Sequence, residues 1–378
     1  MFKNARKFVS FAVASTMLFT SVFSTSTMGA VVSIASDASV TEVTEADITA
    51  KAVVVTVEPS KSSDLSAGEE FYVDSVDEIH MIHGFRWYNT DKAYKGVIQV
   101  VHGMLEYIER YDEFARAMAE NGYFVIGHDH LGHGDSVKDS EELGYVGEQG
   151  AVLWLRDMEQ IRRMAVSYAP KVPYIMLGHS MGSYLVRRYL IYHGNRVDGA
   201  VIMGTGQQNP LLVKTGLLVT YLDMMRIGPK GHSKFLDQMT CSGFVRKFPD
   251  NRKTGSWVSR DPQVLIHTLQ DPLMNFGFTL NAYEALLRTI EEATDSRRVV
   301  KMPRDLPILI LSGDEDPVGG NGKGVRRFEK MLKRAGMKNV TCMLYPHARH
   351  ELLNDLDKEQ VLHDIEHWCD TIERRNRR

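Results

Sequence analysis

The sequence predicts an α/β protein: a mostly parallel central sheet flanked by helices, with a helical cap inserted late in the sheet. Three observations carry that expectation. The apolar run Tyr174-Ile175-Met176-Leu177 passes through Gly178-His179-Ser180-Met181-Gly182 into a helix-favouring stretch containing Tyr184, Leu185, Arg187, Arg188 and Tyr189. Pro307-Ile308-Leu309-Ile310-Leu311 ends in Ser312-Gly313 and an acidic loop, and Val340 to Tyr345 runs into Pro346-His347-Ala348-Arg349-His350-Glu351. Short apolar runs that stop at glycine or polar loops suit strands buried on both faces, as in a parallel sheet.

From the N-terminus, Lys3, Arg6 and Lys7 precede an apolar stretch from Phe8 to about Phe23, after which small residues follow. This reads as a signal peptide over residues 1–35, with Ser33-Ile34-Ala35 as a small-x-small cleavage site. The stretch is interrupted by Ser and Thr and falls short of the ~20 residues that span a bilayer. An uncleaved membrane anchor is the alternative, and a secreted or extracytoplasmic location is the expectation. Residues 36–70 are poor in aromatics and rich in Ser, Thr, Ala, Val and Glu, as a flexible linker is. Val53 to Val57 has strand-forming residues, but no strand is assigned to it.

Residues 71–204 and 305–378 make the core, and 205–304 the cap. Within the core, Gly96 to Val101 is a strand that delivers His102-Gly103-Met104 to the edge where Ser180 lies, and Val201 to Gly204 falls on another. In the cap, Leu211, Leu212, Leu217, Leu218, Val219, Tyr221, Leu222, Met224 and Met225 are dense enough for helices sheltering an apolar pocket. Packing of the cap on itself is the plainer explanation of the same residues.

The chemistry starts from Ser180. A glycine on each side lets the chain turn from strand to helix without a Cβ collision, exposing the hydroxyl above a helix N-terminus. The pentapeptide alone is weak, because G-x-S-x-G arises by chance in on the order of one chain in ten of this length. A serine needs a base, and the base needs an acid to hold it. In this topology they follow in the order serine, acid, histidine. Asp314, Glu315 and Asp316 all lie in the acidic loop, and Asp316 is taken as the acid. His350 is taken as the base, with His347 as its rival.

Four blocks then give the chain a specific resemblance. They are His102-Gly103-Met104 with Glu106, Arg110 and Tyr111; Asp129-His130 with Gly132-His133-Gly134 and Ser136; the elbow around Ser180; and Arg349-His350-Glu351. Together they resemble the monoglyceride lipase and lysophospholipase branch of the α/β-hydrolases, often labelled serine aminopeptidase-like, from about Phe71 to the C-terminus. The resemblance implies a triad of Ser180, Asp316 and His350, and an oxyanion hole made by the backbone N–H groups of Met104 and Met181. Trp257 with Ser259-Arg260-Asp261-Pro262, and Asp271-Pro272-Leu273 with Phe276 and Phe278, resemble the cap of bacterial lysophospholipase-like members. Tyr107 stands where many members have histidine, and Leu131 where many have arginine.

The expected activity is hydrolysis of carboxylic esters, of the monoacylglycerol or lysophospholipid type, through an acyl-enzyme. A peptidase or amidase, a thioesterase or acyltransferase, and a non-catalytic binding module are the alternatives. No cofactor is expected. His128, His130 and His133 with Asp129 and Asp135 invite a metal, but His-x-His-x-x-His-x-Asp fits no zinc-hydrolase spacing well, and structural hydrogen bonding is preferred. At 378 residues, 43% hydrophobic and 25% charged, the chain can bury a large core. Its net charge of -3 gives no reason to expect nucleic acid, and the basic run Arg374 to Arg378 reads as a solvated helix end. The expected partners are a small acyl ester and, through the cap, transient membrane or lipid-aggregate contact. Cys241, Cys342 and Cys369 are too few for a disulfide scaffold, though one pair can form outside a cell.

Overall fold

The computed structural model describes residues 68–376, apart from 241–243, 245–247 and 249–256. The signal peptide, nearly all of the linker, Val53 to Val57 and Cys241 lie outside the described residues.

Eight strands form one sheet in the order β1-β2-β4-β3-β5-β6-β7-β8. The first two, β1 (Glu69–Asp74) and β2 (Met81–Trp87), are antiparallel, and β2 is antiparallel to β4 (Tyr123–His128). From β4 onward every neighbour is parallel: β3 (Gly96–Val101), β5 (Tyr174–His179), β6 (Gly199–Met203), β7 (Ile308–Gly313) and β8 (Val340–Tyr345). The mostly parallel sheet expected from the apolar runs is therefore present. The first strand opens at Glu69, inside the stretch assigned to the linker, because Glu69 and Glu70 pair with Arg86 and Phe85.

Each of β3 to β7 is buried along its whole length, whereas β8 alternates and takes the edge. Helices cover both faces of the sheet. One core layer packs α2 (Gly150–Tyr168) and α3 (Met181–His193) through Trp154, Leu155, Met158, Leu185 and Tyr189. The other packs α1 (Asp112–Glu120) and the C-terminal helix Lys358–Asn376 through Phe114, Met118, Val361 and Ile365. Two-sided burial is what makes a parallel sheet's strands read as continuous apolar runs.

Between β6 and β7 the chain leaves the sheet for the cap, which carries α4 (Pro210–Ile227), α5 (Lys234–Met239), α6 (Pro262–Gln270) and α7 (Leu280–Thr294). Asn209, Asp261 and Thr279 cap three of these helices, each accepting a backbone N–H of the first turn. Pro210 and Pro262 stand at the first helical positions, where no N–H is needed. Cys342 and Cys369 are both free thiols, so the disulfide the sequence allows does not join these two.

Candidate active site

The loops after β3, β5, β7 and β8 meet at the carboxyl ends of the parallel strands, where open α/β sheets place their chemistry. Ser180 sits between β5 and α3 with φ 51° and ψ -117°, a strained conformation for a residue with a side chain. Its neighbours explain why the chain accepts it. A Cβ on Gly178 would lie 2.5 Å from the Gly182 carbonyl oxygen, and one on Gly182 would collide with the carbonyl of Val101 on β3. The turn is held by the Ser180 N–H, which donates to the Met203 carbonyl at 3.0 Å.

Ser180 Oγ lies 2.8 Å from His350 Nε2. On the other side of the ring, His350 Nδ1 is 3.1 Å from Asp316 Oδ2. That contact is close enough for an ion pair, but the ring N–H points off the oxygen, so His350 Nδ1 lacks a well-formed hydrogen bond. Alignment of this kind commonly tightens only when substrate is bound. Asp316 is fully buried and its Oδ1 accepts the Val318 N–H at 2.8 Å, which fixes the carboxylate plane. Its neighbours point elsewhere: Asp314 accepts the His347 N–H at 2.7 Å, and Glu315 faces the His347 ring at 3.5 Å. The His347 side chain is 80% exposed. Ser180, Asp316 and His350 are thus brought together, whereas Asp314, Glu315 and His347 are not part of the group.

Met104 and Met181 both line the cavity at Ser180. Met181 is the first residue of α3, where backbone N–H groups have no partner within the helix and point at whatever lies beyond its end. The Gly103-Met104 turn closes against Ser180 so tightly that a Cβ on Gly103 would come within 3.0 Å of Ser180 Cβ.

A buried polar network stands behind that turn. Glu106 Oε1 accepts the Gly103 N–H, the Tyr111 hydroxyl at 3.1 Å and His179 Nδ1 at 2.8 Å. Arg110 donates to Glu106 Oε2 at 2.9 Å and forks onto Glu351 at 3.0 and 2.6 Å. Burial works against all these charges, yet His179 and Arg110 hold the Glu106 carboxyl well below its usual range. In return, and again against burial, Glu106 raises the His179 imidazole and Glu351 raises the Arg110 guanidinium. His179 Nε2 also reaches the His350 carbonyl at 3.3 Å. One network therefore ties together the Gly103-Met104 turn, the elbow and the histidine loop. Removing one member of such a cluster strands charges in the core, so Arg110→Met should lower unfolding free energy by about 3–5 kcal/mol, measured by urea denaturation. The motif blocks contain Glu106, Arg110, Tyr111 and Glu351, but their convergence on His179 has no linear signature.

The histidine-rich loop divides in a way the sequence does not show. Asp129 is structural: Oδ1 accepts the Ile108 N–H at 2.7 Å, and Oδ2 accepts His83 Nδ1 at 2.7 Å and the Asp135 N–H at 3.0 Å. His128 and His130 are fully buried, with no hydrogen-bond partner at either ring nitrogen among the described residues. This corrects the expectation of structural hydrogen bonding for those two rings; they pack as aromatic bodies instead. Among the described residues no three ligand groups converge as a metal site would need.

A cavity of about 170 Å³ opens at Ser180. Its walls include Leu212, Val213 and Gly216 from α4, Leu286 and Leu287 from α7, and Trp257, whose ring lies 5.0 Å from that of His350. Of the nine apolar cap residues singled out from the sequence, only Leu212 lines the cavity; Leu218, Tyr221, Leu222 and Met225 are exposed on the outer side of α4. Sequence density could not tell the two sides apart, because α4 is apolar nearly all round. Tyr107 fastens the loop beyond the oxyanion turn to the cap, donating to Asp271 Oδ2 at 2.6 Å.

A family model described as serine aminopeptidase, S33, matches residues 92–357. The chain is 24% identical over 284 residues to a monoacylglycerol lipase of Mycolicibacterium smegmatis, covering 74% of this chain and 90% of that protein. It is 26% identical over 287 residues to a monoglyceride lipase of Rattus norvegicus, covering 75% and 85%. Among solved structures, a thermostable carboxyl esterase from Bacillus coagulans in complex with glycerol superposes with a TM-score of 0.75 at 28% identity, covering 81% of this chain and 99% of that one.

Proposed function

The chain belongs to the serine aminopeptidase S33 family of α/β-hydrolases, and from that premise we propose that it is a carboxylic ester hydrolase acting on esters with one fatty acyl chain, of the monoacylglycerol or lysophospholipid type. The observation that carries this reading is the 2.8 Å approach of His350 Nε2 to Ser180 Oγ at the mouth of an apolar cavity. The lipase and esterase names of the similar proteins support the reaction class.

In this mechanism Ser180 Oγ attacks the acyl carbon while His350 Nε2 takes its proton, and Asp316 stabilises the imidazolium. The carbonyl oxygen becomes an oxyanion held by the N–H groups of Met104 and Met181, donors that need no reorientation as charge develops. The tetrahedral intermediate collapses to an acyl-Ser180 ester, and His350 returns the proton to the departing alcohol. A water that gives its proton to His350 then attacks the acyl carbon. Collapse of the second intermediate returns that proton to Ser180 and releases the acid. No cofactor enters any step.

An aminopeptidase would need a carboxylate to pair the substrate's ammonium group, and the cavity wall has none among the described residues. Matched ester and amide substrates test the reading. We expect the purified protein to hydrolyse monoacylglycerols or lysophospholipids with kcat/KM at least about tenfold above that for aminoacyl amides; the reverse order would refute it.

The outer side of α4 supports a second part of the proposal, transient contact with lipid aggregates. Leu218, Tyr221, Leu222 and Met225 are more than half exposed, an arrangement that costs a soluble surface and suits docking to an apolar one. Among the described residues no helix is long and apolar enough to cross a membrane. The double change Leu218→Ser and Leu222→Ser should lower turnover of dispersed long-chain ester by about tenfold while short soluble esters react as before. The N-terminal leader supports an extracytoplasmic location.

A further inference from the structure

We propose that a latch between Tyr283 and Asp237 sets the preference for long acyl chains, by clamping α5 against α7 so that both helices wall the cavity at once. The inference rests on the proposed hydrolase reading for its substrate, and on the following geometry for its mechanism.

The two helices differ in how firmly they are held. α7 is fixed to the elbow helix: Arg188 forks onto Glu292 at 2.9 and 3.1 Å, and Arg187 Nη2 donates to the Ala293 carbonyl at 2.9 Å. α5 has only six residues, and Leu236 is its one buried side chain. A helix of that length has no stability of its own in water, so it stays folded only through what it docks on. Yet Leu236, Met239 and the adjoining Thr240 all line the cavity. A wall that the substrate needs is thus built on an element that little apolar burial secures.

Tyr283 supplies the missing hold. Its ring is buried and lines the cavity from α7. Its hydroxyl donates to Asp237 Oδ1 at 2.7 Å and lies 3.1 Å from Thr240 Oγ1, so one phenol grips α5 and the residue that follows it. For filling space in an apolar wall a phenylalanine would serve as well, without a hydroxyl that has to be satisfied in a buried place. The hydroxyl is therefore explained by the carboxylate it holds, and a hydrogen bond to an ionised acceptor is of the stronger kind. At the N-terminal side of α5, Ser233 Oγ donates to Asp223 Oδ2 at 2.8 Å and the Gly231 carbonyl accepts the Leu280 N–H at 2.8 Å. That end is tied to α4 and to the start of α7, whereas the Tyr283 contact grips the body of α5.

The consequence falls on long chains. A dry apolar cavity of about 150 Å³ takes a benzene-sized guest, so about 170 Å³ is filled by the first several carbons of a long acyl chain, which then meet its walls, α5 among them. A short acyl group meets only part of it. Loosening α5 then removes contacts that only the long chain makes, and raises KM for long esters more than for short ones.

The test compares kcat/KM for four-carbon and sixteen-carbon nitrophenyl esters. Tyr283→Phe and, separately, Asp237→Ala should each lower the long-to-short ratio by about tenfold, through KM rather than kcat. Asp237→Asn, which keeps an acceptor oxygen, should hold the ratio within about twofold of wild type. A general loss of structure would lower both substrates together and would not be rescued by asparagine. A second readout needs no turnover: in a Ser180→Ala background, Tyr283→Phe should weaken binding of the fluorescent fatty acid cis-parinaric acid by about tenfold. If wild-type protein cleaves no ester, the hydrolase reading fails and the fatty-acid comparison alone decides the latch. An unchanged long-to-short ratio in both Tyr283→Phe and Asp237→Ala, or unchanged fatty-acid affinity where no ester is cleaved, overturns the proposal.

Discussion

Ser180→Ala is expected to reduce kcat for ester hydrolysis by about 10⁴-fold or more and to abolish labelling by a fluorophosphonate probe. The size follows from the division of labour at the site. Without Oγ no covalent acyl intermediate forms, and His350 Nε2 loses the nucleophile held 2.8 Å away. In the proposed mechanism the Met104 and Met181 donors and the apolar cavity survive the change, so weak catalysis above the uncatalysed rate remains. Folding should be unaffected. The strained φ of Ser180 is imposed by Gly178, Gly182 and the β3 backbone, and alanine relieves none of that packing. Equal thermal midpoints with lost labelling are the expected pair of results; persistent labelling of the variant would remove Ser180 from the mechanism.

The second large effect is acid lability. His102, His128, His130 and His133 are wholly buried, with ring centres 4.3 to 6.4 Å apart. Burial pushes His102 and His128 down to about 3 and His133 down to about 4, and drives His130 well below its ordinary value. In the unfolded chain an imidazole takes its proton near pH 6.5. As pH falls below that, the unfolded state binds up to four protons that the native state refuses, so stability drops until the native rings of His102, His128 and His133 titrate at about 3 to 4. Other groups oppose this: burial pushes Asp157 up to about 7 and also raises Glu109, so the native state keeps protons that the unfolded state releases above the ordinary carboxyl range. His83 and His179, raised by Asp129 and Glu106 against burial, oppose it as well near neutrality, where the native state holds protons that the unfolded imidazoles have not yet taken; towards pH 5 both states hold them.

Towards pH 5 at most about three protons remain in favour of the unfolded state, which sets a limiting slope of about 4 kcal/mol per pH unit against a typical total of about 5–15 kcal/mol. The urea midpoint should therefore fall steeply between pH 7 and pH 5. His128→Leu removes one of the four sites and leaves no polar partner stranded, because neither ring nitrogen of His128 has one. The variant should show a shallower slope at little cost near neutrality. A midpoint that stays level from pH 7 to pH 5 would contradict neutral buried rings.

Much of the fold is legible because β3, β5, β6 and β7 are buried on both faces, and two-sided burial writes itself into a chain as an unbroken apolar run ended by glycine. The elbow is legible for a related reason: the close approach of Val101 to Gly182 admits no side chain, so the requirement is local. Other features are not local. The resemblance picks Asp316 out of three adjacent acids, but the physical reason lies in the fold, where the Val318 N–H and the His350 ring face this one carboxylate. Likewise the apolar residues of α4 divide between cavity and solvent according to where α7 lies, which no periodicity in so uniformly apolar a helix records.

By itself the sequence determined the strand-turn-helix around Ser180 and the parallel core, because each depends on residues close together in the chain or on strands buried on both faces, and the order serine, acid, histidine follows from that topology. The tertiary structure alone decided which side chains touch: Glu106 with His179 and Glu351 with Arg110, Tyr283 with Asp237, and four buried imidazoles packed side by side. Those contacts join elements tens to hundreds of residues apart, and their energies depend on distance and burial in three dimensions, quantities that a linear pattern does not carry.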